Sequence, residues 1–331
     1  MSSVSAISSA RALWLTGPER GELREEALAQ ATDGEVLVRT HFSGVSRGTE
    51  SLVWRGAVPA SEVHTMRCPF QAGEFPFPVK YGYSSVGCVE SGPLELRGRL
   101  VHCLYPHQSA YVVPASAVIA LPEQLPARRA VLAANMETAL NALWDARPLI
   151  GDRVSVVGAG VLGALVAFLA RQLAGVDVEL VDRRPARAEL AQTLGVSFSE
   201  PGLARRHRDV VFHASGNPRA LATALELCAN DTALIELSWF GDQSVELPLG
   251  GSFHSRRLGV CASQVGEVSR NARRRFTHRE RRALALELLS EPALDSLIDG
   301  ECAFEDLPRV MPELVHAESG RLCQLVVYSE Q

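Results

Sequence analysis

The first third of the chain alternates apolar and polar positions, which is the pattern of half-buried β-strands. Residues 35–42, EVLVRTHF, show it most clearly. Shorter β-like runs follow as far as Pro122, at 86–91, 98–104, 109–114 and 117–121, with Gly and Pro between them. Helical periodicity is nearly absent here, so this part predicts a compact, barrel-like domain of antiparallel strands.

From residue 127 the periodicity becomes helical and then alternates with short apolar runs. Residues 127–146 are rich in Ala and Leu at helical spacing, and Pro148 follows as a stop signal. Strands are predicted at 153–157, 177–181, 209–213 and 232–237, and helices at 161–173, 185–194 and 218–228. Such alternation predicts the α/β class, with a doubly wound parallel sheet covered on both faces. A final segment, 266–331, predicts one helix, ERRALALELLSE, and a terminal strand, RLCQLVVYS.

Composition narrows the class of protein. The 331 residues allow two domains, and 47% hydrophobic with 21% charged residues is ordinary for a soluble globular enzyme. A net charge of −5 favours neither nucleic acid nor an anionic membrane as partner. No apolar run is long enough to span a bilayer, and no secretory signal is recognisable. The seven cysteines are scattered without a CxxC pair, so a reduced, cytoplasmic protein is expected.

The stretch VSVVGAGVLG, residues 154–163, has the strand–turn–helix context of a dinucleotide-binding turn. In such a turn the first glycine permits a tight bend, the second lets a pyrophosphate approach the backbone, and the third lets helix and strand pack closely. Helix N-terminal amides then face the diphosphate. The predicted cofactor-binding residues of the turn are Gly158, Ala159, Gly160, Val161, Leu162 and Gly163. A glycine corner that binds nothing is the alternative.

Asp182 ends the second predicted strand of this region, 24 residues after Gly158. A carboxylate there can accept both ribose hydroxyls of NAD and would repel the 2′-phosphate of NADP. Arg183 and Arg184 follow directly and could instead hold that phosphate. NAD is the favoured cofactor, and NADP stays open.

A β-rich domain before a central nucleotide-binding unit resembles the medium-chain dehydrogenase/reductase superfamily, the alcohol dehydrogenase-like enzymes, over essentially the whole chain. The segments that carry the resemblance are GVSRGTESLVWRG (44–56), FPVKYGYSSVGCVESG (77–92), NMETALNAL (135–143), ASGNPRALATAL (214–225) and ELPLGGSFHSRRLGVCASQVG (246–266). The versions SRGTE and GYSSVG resemble, more narrowly, the loops of the group that contains bacteriochlorophyllide hydroxyethyl dehydrogenase. That substrate is not implied, because the low aromatic content gives no sign of a porphyrin site.

The resemblance implies a GroES-like β-barrel catalytic domain, residues 1–133 and 266–331, and a Rossmann dinucleotide-binding domain, residues 134–265. It further implies an NAD(P)-dependent oxidoreductase, with Thr138 among the cofactor-binding residues. A homodimer is also implied, formed through a sheet edge near 246–251 or 257–263.

The zinc ligands of the family are replaced in this chain. Zinc members place a Cys in the first loop, a Gly-His-Glu in the second and a Cys or acidic residue near the third. Here these positions read Ser46, then Gly82-Tyr83-Ser84, then Ala134 or its neighbours. A hydroxyl, a phenol and a methyl do not make a stable zinc site. The chain therefore resembles the zinc-independent branch, and no metal is expected.

Without zinc, a side chain must polarise the substrate oxygen and exchange its proton. The candidates are Ser46, Thr49, Glu50 and Tyr83. Tyr83 could donate to a substrate carbonyl if Arg47 or Lys80 lowers its pKa from about 10. Structural roles are the alternatives: Thr49 as a turn cap, Glu50 as a helix-dipole partner, Tyr83 as packing and Ser46 as a filler.

Two further features stay open at this level. Glu137 either faces the nicotinamide pocket or is solvated. The run SRNARRRFTHRERR, 269–282, is a solvated surface or a rim that attracts an anionic small-molecule substrate. The leading function is hydride transfer between the cofactor and an alcohol/carbonyl pair. The alternatives are a quinone/enoyl-type C=C reductase and an inactive NAD(H)-binding sensor or scaffold.

Overall fold

The structure, a computed structural model, describes residues 7–316 and 319–329. Its strands are β1 (Ser9–Gly17), β2 (Arg20–Ala27), β3 (Glu35–Val45), β4 (Ala72–Gly73), β5 (Val79–Lys80), β6 (Ser85–Ser91), β7 (Leu100–Cys103), β8 (Ala110–Pro114), β9 (Ile119–Ala120), β10 (Arg153–Val157), β11 (Asp177–Val181), β12 (Ser197–Ser199), β13 (Val210–His213), β14 (Ala233–Glu236), β15 (Gly259–Ala262), β16 (Ile298–Ala303) and β17 (Cys323–Val327). Its α-helices are α1 (Arg47–Arg55), α2 (Ala127–Ala130), α3 (Ala133–Ala146), α4 (Val161–Arg171), α5 (Arg187–Leu194), α6 (Pro218–Leu227), α7 (Ser252–Ser255), α8 (His278–Leu288) and α9 (Leu307–Val315).

The chain divides into two compact units. The first comprises residues up to 134 and those from 298 onward, and the second comprises residues 135–297. The sequence-based boundary at 133/134 therefore lies within one residue of the first division. The second division differs by some thirty residues from the predicted one at 265/266.

The first unit is built on antiparallel sheets, as the alternating pattern predicts. One sheet has the order β2-β1-β5-β4, and a seven-stranded sheet follows the order β16-β17-β3-β6-β7-β9, with β8 paired to β3. Only the β16–β17 pair of this larger sheet is parallel. Val36, Val38 and Thr40 of β3 are buried because they share one face of the strand.

The second unit holds a six-stranded, wholly parallel sheet of order β12-β11-β10-β13-β14-β15. Its central strands β10, β11 and β13 are buried on both faces, as helices on both sides require. The predicted strands and helices of this region all form, with ends that move by up to two residues. Strands β12 and β15 were not predicted: they are short, and β15 is mostly exposed, so neither has a clear hydrophobic pattern.

The helix predicted over 127–146 is two helices. Leu132 N–H donates to the Arg129 carbonyl in a tight turn, and the Val131 carbonyl accepts a hydrogen bond from the Ser84 hydroxyl at 2.5 Å. The turn joining α2 and α3 is therefore fixed by a contact with Ser84, which directly precedes β6 and is 47 residues away in the chain, so no local pattern encodes it.

Residues 266–297 belong to the second unit, which corrects their predicted place in the catalytic domain. The cause is a buried ion pair between α8 and α3, in which Arg281 Nε lies 3.1 Å from Glu137 Oε1. Arg281 also donates to Asn141 Oδ1 at 2.8 Å. Phe276 stacks on Trp144 with ring centroids 4.8 Å apart. Glu137 is thus a buried ion-pair partner with a structural role. This role replaces the two interpretations that the sequence left open, a side chain facing the nicotinamide pocket or a solvated one.

The arginine-rich run is split by this packing. Arg281 and Arg282 both pair with Glu137, while Arg270 and Arg273–Arg275 are exposed. Across the described residues, no helix is both long and apolar enough to cross a membrane.

Candidate active site and nucleotide site

The glycine turn of the second unit, residues 158–163, contains three glycines that differ in the space around them. A Cβ on Gly158, whose φ is +110°, would lie 2.7 Å from the backbone of Ser215, and one on Gly163 would lie 1.8 Å from the Gly158 carbonyl oxygen. A Cβ on Gly160 would meet no atom within 4 Å. The fold therefore requires Gly158 and Gly163, whereas Gly160 faces open space in which a ligand can approach the backbone.

The turn lies at the reversal point of the sheet. β10 is flanked by β11 on one side and by β13 on the other, and the chain visits β11 first. In open α/β sheets, ligands bind outside the carboxyl ends of the strands at such a point. Val161 and Leu162 begin α4 there, so their amides belong to the helix N-terminus that favours an anion.

Asp182 is positioned beside the turn, directly after β11. Its Oδ2 accepts a hydrogen bond from the Ala159 amide at 2.8 Å, and its Oδ1 accepts one from the Arg184 amide at 2.9 Å. Both bonds hold the half-buried carboxylate against the glycine turn. The structure thus brings together Asp182 and the six predicted residues of the turn. Arg183 is exposed next to them, and Thr138 is half-buried on α3.

The four predicted catalytic residues come together in the first unit. Ser46 precedes α1, and its amide donates to Glu50 Oε1 at 2.7 Å, because residues four apart lie on one helix face. The side chains of Ser46 and Thr49 lie close enough to the Tyr83 hydroxyl to lower its pKa. Glu50 itself is only 4% exposed.

The phenol of Tyr83 holds its proton firmly. Burial raises its pKa well above the usual value near 10, the negative charge of Glu50 raises it further, and the hydrogen bonds with Ser46 and Thr49 oppose the rise. This corrects the expectation that Arg47 or Lys80 lowers that pKa. Lys80 donates to Glu26 at 2.6 Å and to Gln108 at 2.7 Å, while Arg47 donates to Ser319 at 3.1 Å.

A buried polar chain behind this cluster was missed by sequence reasoning. His107 Nε2 lies 2.9 Å from Glu50 Oε2, and its Nδ1 lies 2.7 Å from Ser43 Oγ. Ser43 Oγ in turn lies 3.0 Å from the Tyr328 hydroxyl. Because a carboxylate only accepts, His107 donates from Nε2, and in the neutral imidazole Nδ1 accepts from the Ser43 hydroxyl. The members are 1–7% exposed, so the chain is shielded from solvent.

Among the residues that the sequence analysis names, Gly82 is one that packs directly against this chain. Its φ is +125°, and a Cβ on it would lie 2.9 Å from His107 Cδ2. The glycine therefore makes room for the imidazole beside Tyr83. Ser43, His107 and Tyr328 carry no local signal, since their partners lie 57, 64 and 285 residues away.

The carboxylate of Glu50 and the imidazole of His107 bind each other. Throughout 7–316 and 319–329, no group of three or more His, Cys, Asp or Glu side chains has an arrangement that could hold a metal ion. The seven cysteines, which all lie within the described residues, form no disulfide.

Comparison with solved structures places the fold. Similar structures include L-idonate 5-dehydrogenase from Escherichia coli, with a TM-score of 0.78, 16% identity and coverage of 96% of this chain and 98% of that one. 2R,3R-butanediol dehydrogenase from Bacillus subtilis gives a TM-score of 0.76 at 17% identity, with 96% and 99% covered. An alcohol dehydrogenase from E. coli in complex with NADH gives 0.75 at 17% identity, with 97% and 99% covered.

Sequence comparisons match a smaller part of the chain than the structural ones do. No protein-family model matches the chain. A zinc-type alcohol dehydrogenase-like protein from Haemophilus influenzae is 24% identical over 212 residues, 56% of this chain and 60% of that protein. L-threonine 3-dehydrogenase from Anaeromyxobacter is 32% identical over 131 residues, 35% of this chain and 37% of that protein. The chain thus matches between about a third and three fifths of the length of these relatives. Its described residues have the fold of the medium-chain dehydrogenase/reductase superfamily, with antiparallel GroES-like sheets and a six-stranded parallel Rossmann sheet.

Proposed function

We propose that this protein is an NAD(P)-dependent oxidoreductase of the medium-chain superfamily that interconverts an alcohol and a carbonyl compound. The observation that carries the proposal is the glycine turn with open space at Gly160 and Asp182 bound to its Ala159 amide. Dinucleotides bind to such turns through the diphosphate. When bound, the nicotinamide supplies or accepts the hydride.

NAD is the preferred cofactor in this proposal. Asp182 is held with both oxygens against backbone amides, so its negative charge stays beside the turn and disfavours a 2′-phosphate. Titration with NADH and NADPH tests this preference, and tighter binding of NADPH would transfer the leading role to the exposed Arg183.

Tyr83 is the proposed proton donor to the substrate oxygen. Its raised pKa keeps the phenol protonated at neutral pH, so it can donate as negative charge develops on that oxygen. Ser46 and Thr49 orient the hydroxyl, and Glu50, fixed by His107, increases its affinity for the proton.

The proposed chemistry needs no zinc. The first-loop and second-loop residues that meet here are hydroxyl-bearing side chains, and the nearest carboxylate and imidazole bind each other. Metal analysis of the purified protein checks this proposal. One equivalent of zinc, lost together with activity when Ser46 and Tyr83 are replaced, would refute it.

A screen of alcohols, aldehydes and enones by NAD(P)H absorbance tests the reaction class. Turnover of an alcohol/aldehyde pair supports the proposal. Turnover restricted to enones or quinones would favour C=C reduction, and binding of NADH without any turnover would favour the sensor function.

A homodimer is proposed through β15. This strand forms one edge of the parallel sheet, and its Val260 side chain is 38% exposed although apolar. A second copy can continue the sheet there by main-chain hydrogen bonds. Sedimentation should show a dimer that Val260→Pro dissociates, because proline removes an edge amide donor; the exposed Leu203→Ser is the control.

A further inference from the structure

A three-residue hydrogen-bonded chain lies at the carboxyl ends of β13 and β14. Ser215 Oγ is 2.7 Å from His213 Nε2. His213 Nδ1 is 2.8 Å from Glu236 Oε2 and 2.9 Å from Oε1. The imidazole is fully buried, and Ser215 is exposed. The chain therefore leads from a partly buried carboxylate, through a buried imidazole, to a hydroxyl at the surface of the second unit.

The arrangement resembles a nucleophilic triad, but the amides beside the serine are already engaged. The Gly216 amide, which follows the serine as an oxyanion-hole donor would, donates to Ser238 Oγ at 3.1 Å. The Asn217 amide donates to Ser215 Oγ itself at 3.1 Å. Neither donor is left for an oxyanion, so the geometry favours binding over nucleophilic attack.

The location of Ser215 indicates what it binds. Its Cα would lie 2.7 Å from a Cβ on Gly158, so its backbone packs directly against the glycine turn. Asp182 follows β11 on one side of β10, and Ser215 follows β13 on the other. A dinucleotide with its diphosphate on the turn directs one ribose to each side. If Asp182 receives the adenosine ribose, the opposite ribose meets Ser215.

The hydrogen-bond directions fit a ribose hydroxyl. Glu236 accepts only, so His213 carries a proton on Nδ1, and in the neutral imidazole Nε2 accepts from the Ser215 hydroxyl. Ser215 Oγ then has two lone pairs, one of which receives the Asn217 amide. The other is directed to an external donor, and a ribose hydroxyl is such a donor.

We propose that Ser215 binds the ribose of the nicotinamide half of the cofactor, and that His213 and Glu236 are positioning residues that hold its hydroxyl as an acceptor. This assignment rests on the proposed cofactor binding. It adds side-chain recognition of the second ribose to the backbone recognition of the diphosphate.

Calorimetric binding of ADP and ADP-ribose separates the two riboses, because ADP lacks the second one. Wild type should bind ADP-ribose more tightly than ADP. Ser215→Ala should weaken ADP-ribose and NADH roughly tenfold, the value of one hydrogen bond, and leave ADP unchanged. Ser215→Thr should restore the affinity for ADP-ribose, since it returns the hydroxyl.

Two matched variants complete the design. Glu236→Gln can donate to Nδ1 and so reverses the imidazole tautomer, which should weaken ADP-ribose but not ADP. Asp182→Asn should weaken both ligands by the same factor. Thermal unfolding checks that each variant is folded.

The outcomes distinguish this inference from the proposed function. Equal weakening of ADP and ADP-ribose by Ser215→Ala, or no weakening of either, overturns the inference while wild-type binding still supports a nucleotide site. Failure of wild type to bind any of the three ligands overturns both. Covalent labelling of Ser215 by a fluorophosphonate would mark it as a nucleophile and also overturn the inference.

Discussion

At the scale of single residues, Tyr83 is the proton donor that we propose in place of a metal. Burial of its hydroxyl and then the negative charge of Glu50 keep its pKa high, and the nearby Ser46 and Thr49 side chains partly oppose this rise. An acid with such a pKa donates a proton readily only to an oxygen that is becoming strongly basic, which is the state of a carbonyl oxygen during hydride transfer.

Replacing Tyr83 with Phe should lower kcat by roughly 10²- to 10⁴-fold, the usual contribution of a positioned acid or base. The affinity for NADH should stay the same, because the nucleotide residues lie in the other unit. Steady-state kinetics and an NADH titration of the same preparation measure both. An unchanged kcat would return Tyr83 to a packing role.

At the scale of elements, the glycine turn contains one glycine that we expect only ligand binding to require, Gly160, and one that the fold requires, Gly163. Gly160→Val should change the free energy of unfolding by no more than about 1 kcal/mol, because its Cβ meets open space and its φ of −79° suits any residue. It should nevertheless abolish dinucleotide binding by occupying the diphosphate's place.

Gly163→Val is the matched comparison on the same turn. Its side chain would collide with the Gly158 carbonyl, so the variant should lose about 3 kcal/mol of stability or more. Denaturant unfolding and NADH binding of both variants provide the measurement. Retained NADH binding by Gly160→Val would exclude the turn as the nucleotide site.

The ion pair between α3 and α8 gives a second prediction at this scale. Arg281→Ala removes a guanidinium that bonds both Glu137 and Asn141 but leaves Arg282 paired with Glu137, so it should cost about 1.5–3 kcal/mol of unfolding free energy. Arg274→Ala, in the same run but exposed, should stay within about 0.5 kcal/mol. Similar losses in the two variants would contradict the assignment of this segment to the second unit.

At the scale of the whole molecule, all five tyrosines lie in the first unit. They are Tyr81, Tyr83, Tyr105, Tyr111 and Tyr328, and burial raises the pKa of each. Because the folded-state pKa values exceed the unfolded value near 10, the unfolded chain loses these protons first as the pH rises. Stability is therefore complete below about pH 10 and falls above it.

Absorbance at 295 nm during an alkaline titration tests this directly. Tyrosinate should appear in one cooperative step together with loss of the far-UV circular dichroism signal. Gradual ionisation of several tyrosines near pH 10 in a still folded protein would show that the hydroxyls are accessible to solvent.

The sequence predicted the fold well where the information is local. The strand 153–157, the three glycines and the following helix are contiguous, and their spacing alone defines the turn. The strand 35–42 is found within β3 because alternation records which face is buried. The predictions of a single helix over 127–146 and of the domain that holds 266–297 were less accurate. The break in the helix depends on the Ser84 hydroxyl, and the place of 266–297 depends on the Arg281–Glu137 pair.

The candidate site likewise has a part that follows from local sequence and a part that depends on the fold. The sequence by itself determined the glycine turn and the grouping of Ser46, Thr49 and Glu50 at the start of one helix, because these residues are neighbours in the chain. Only the tertiary structure placed His107 on Glu50 and Ser215 beside Gly158. Those contacts depend on the register and order of paired strands, which set the neighbours of a side chain across tens to hundreds of residues.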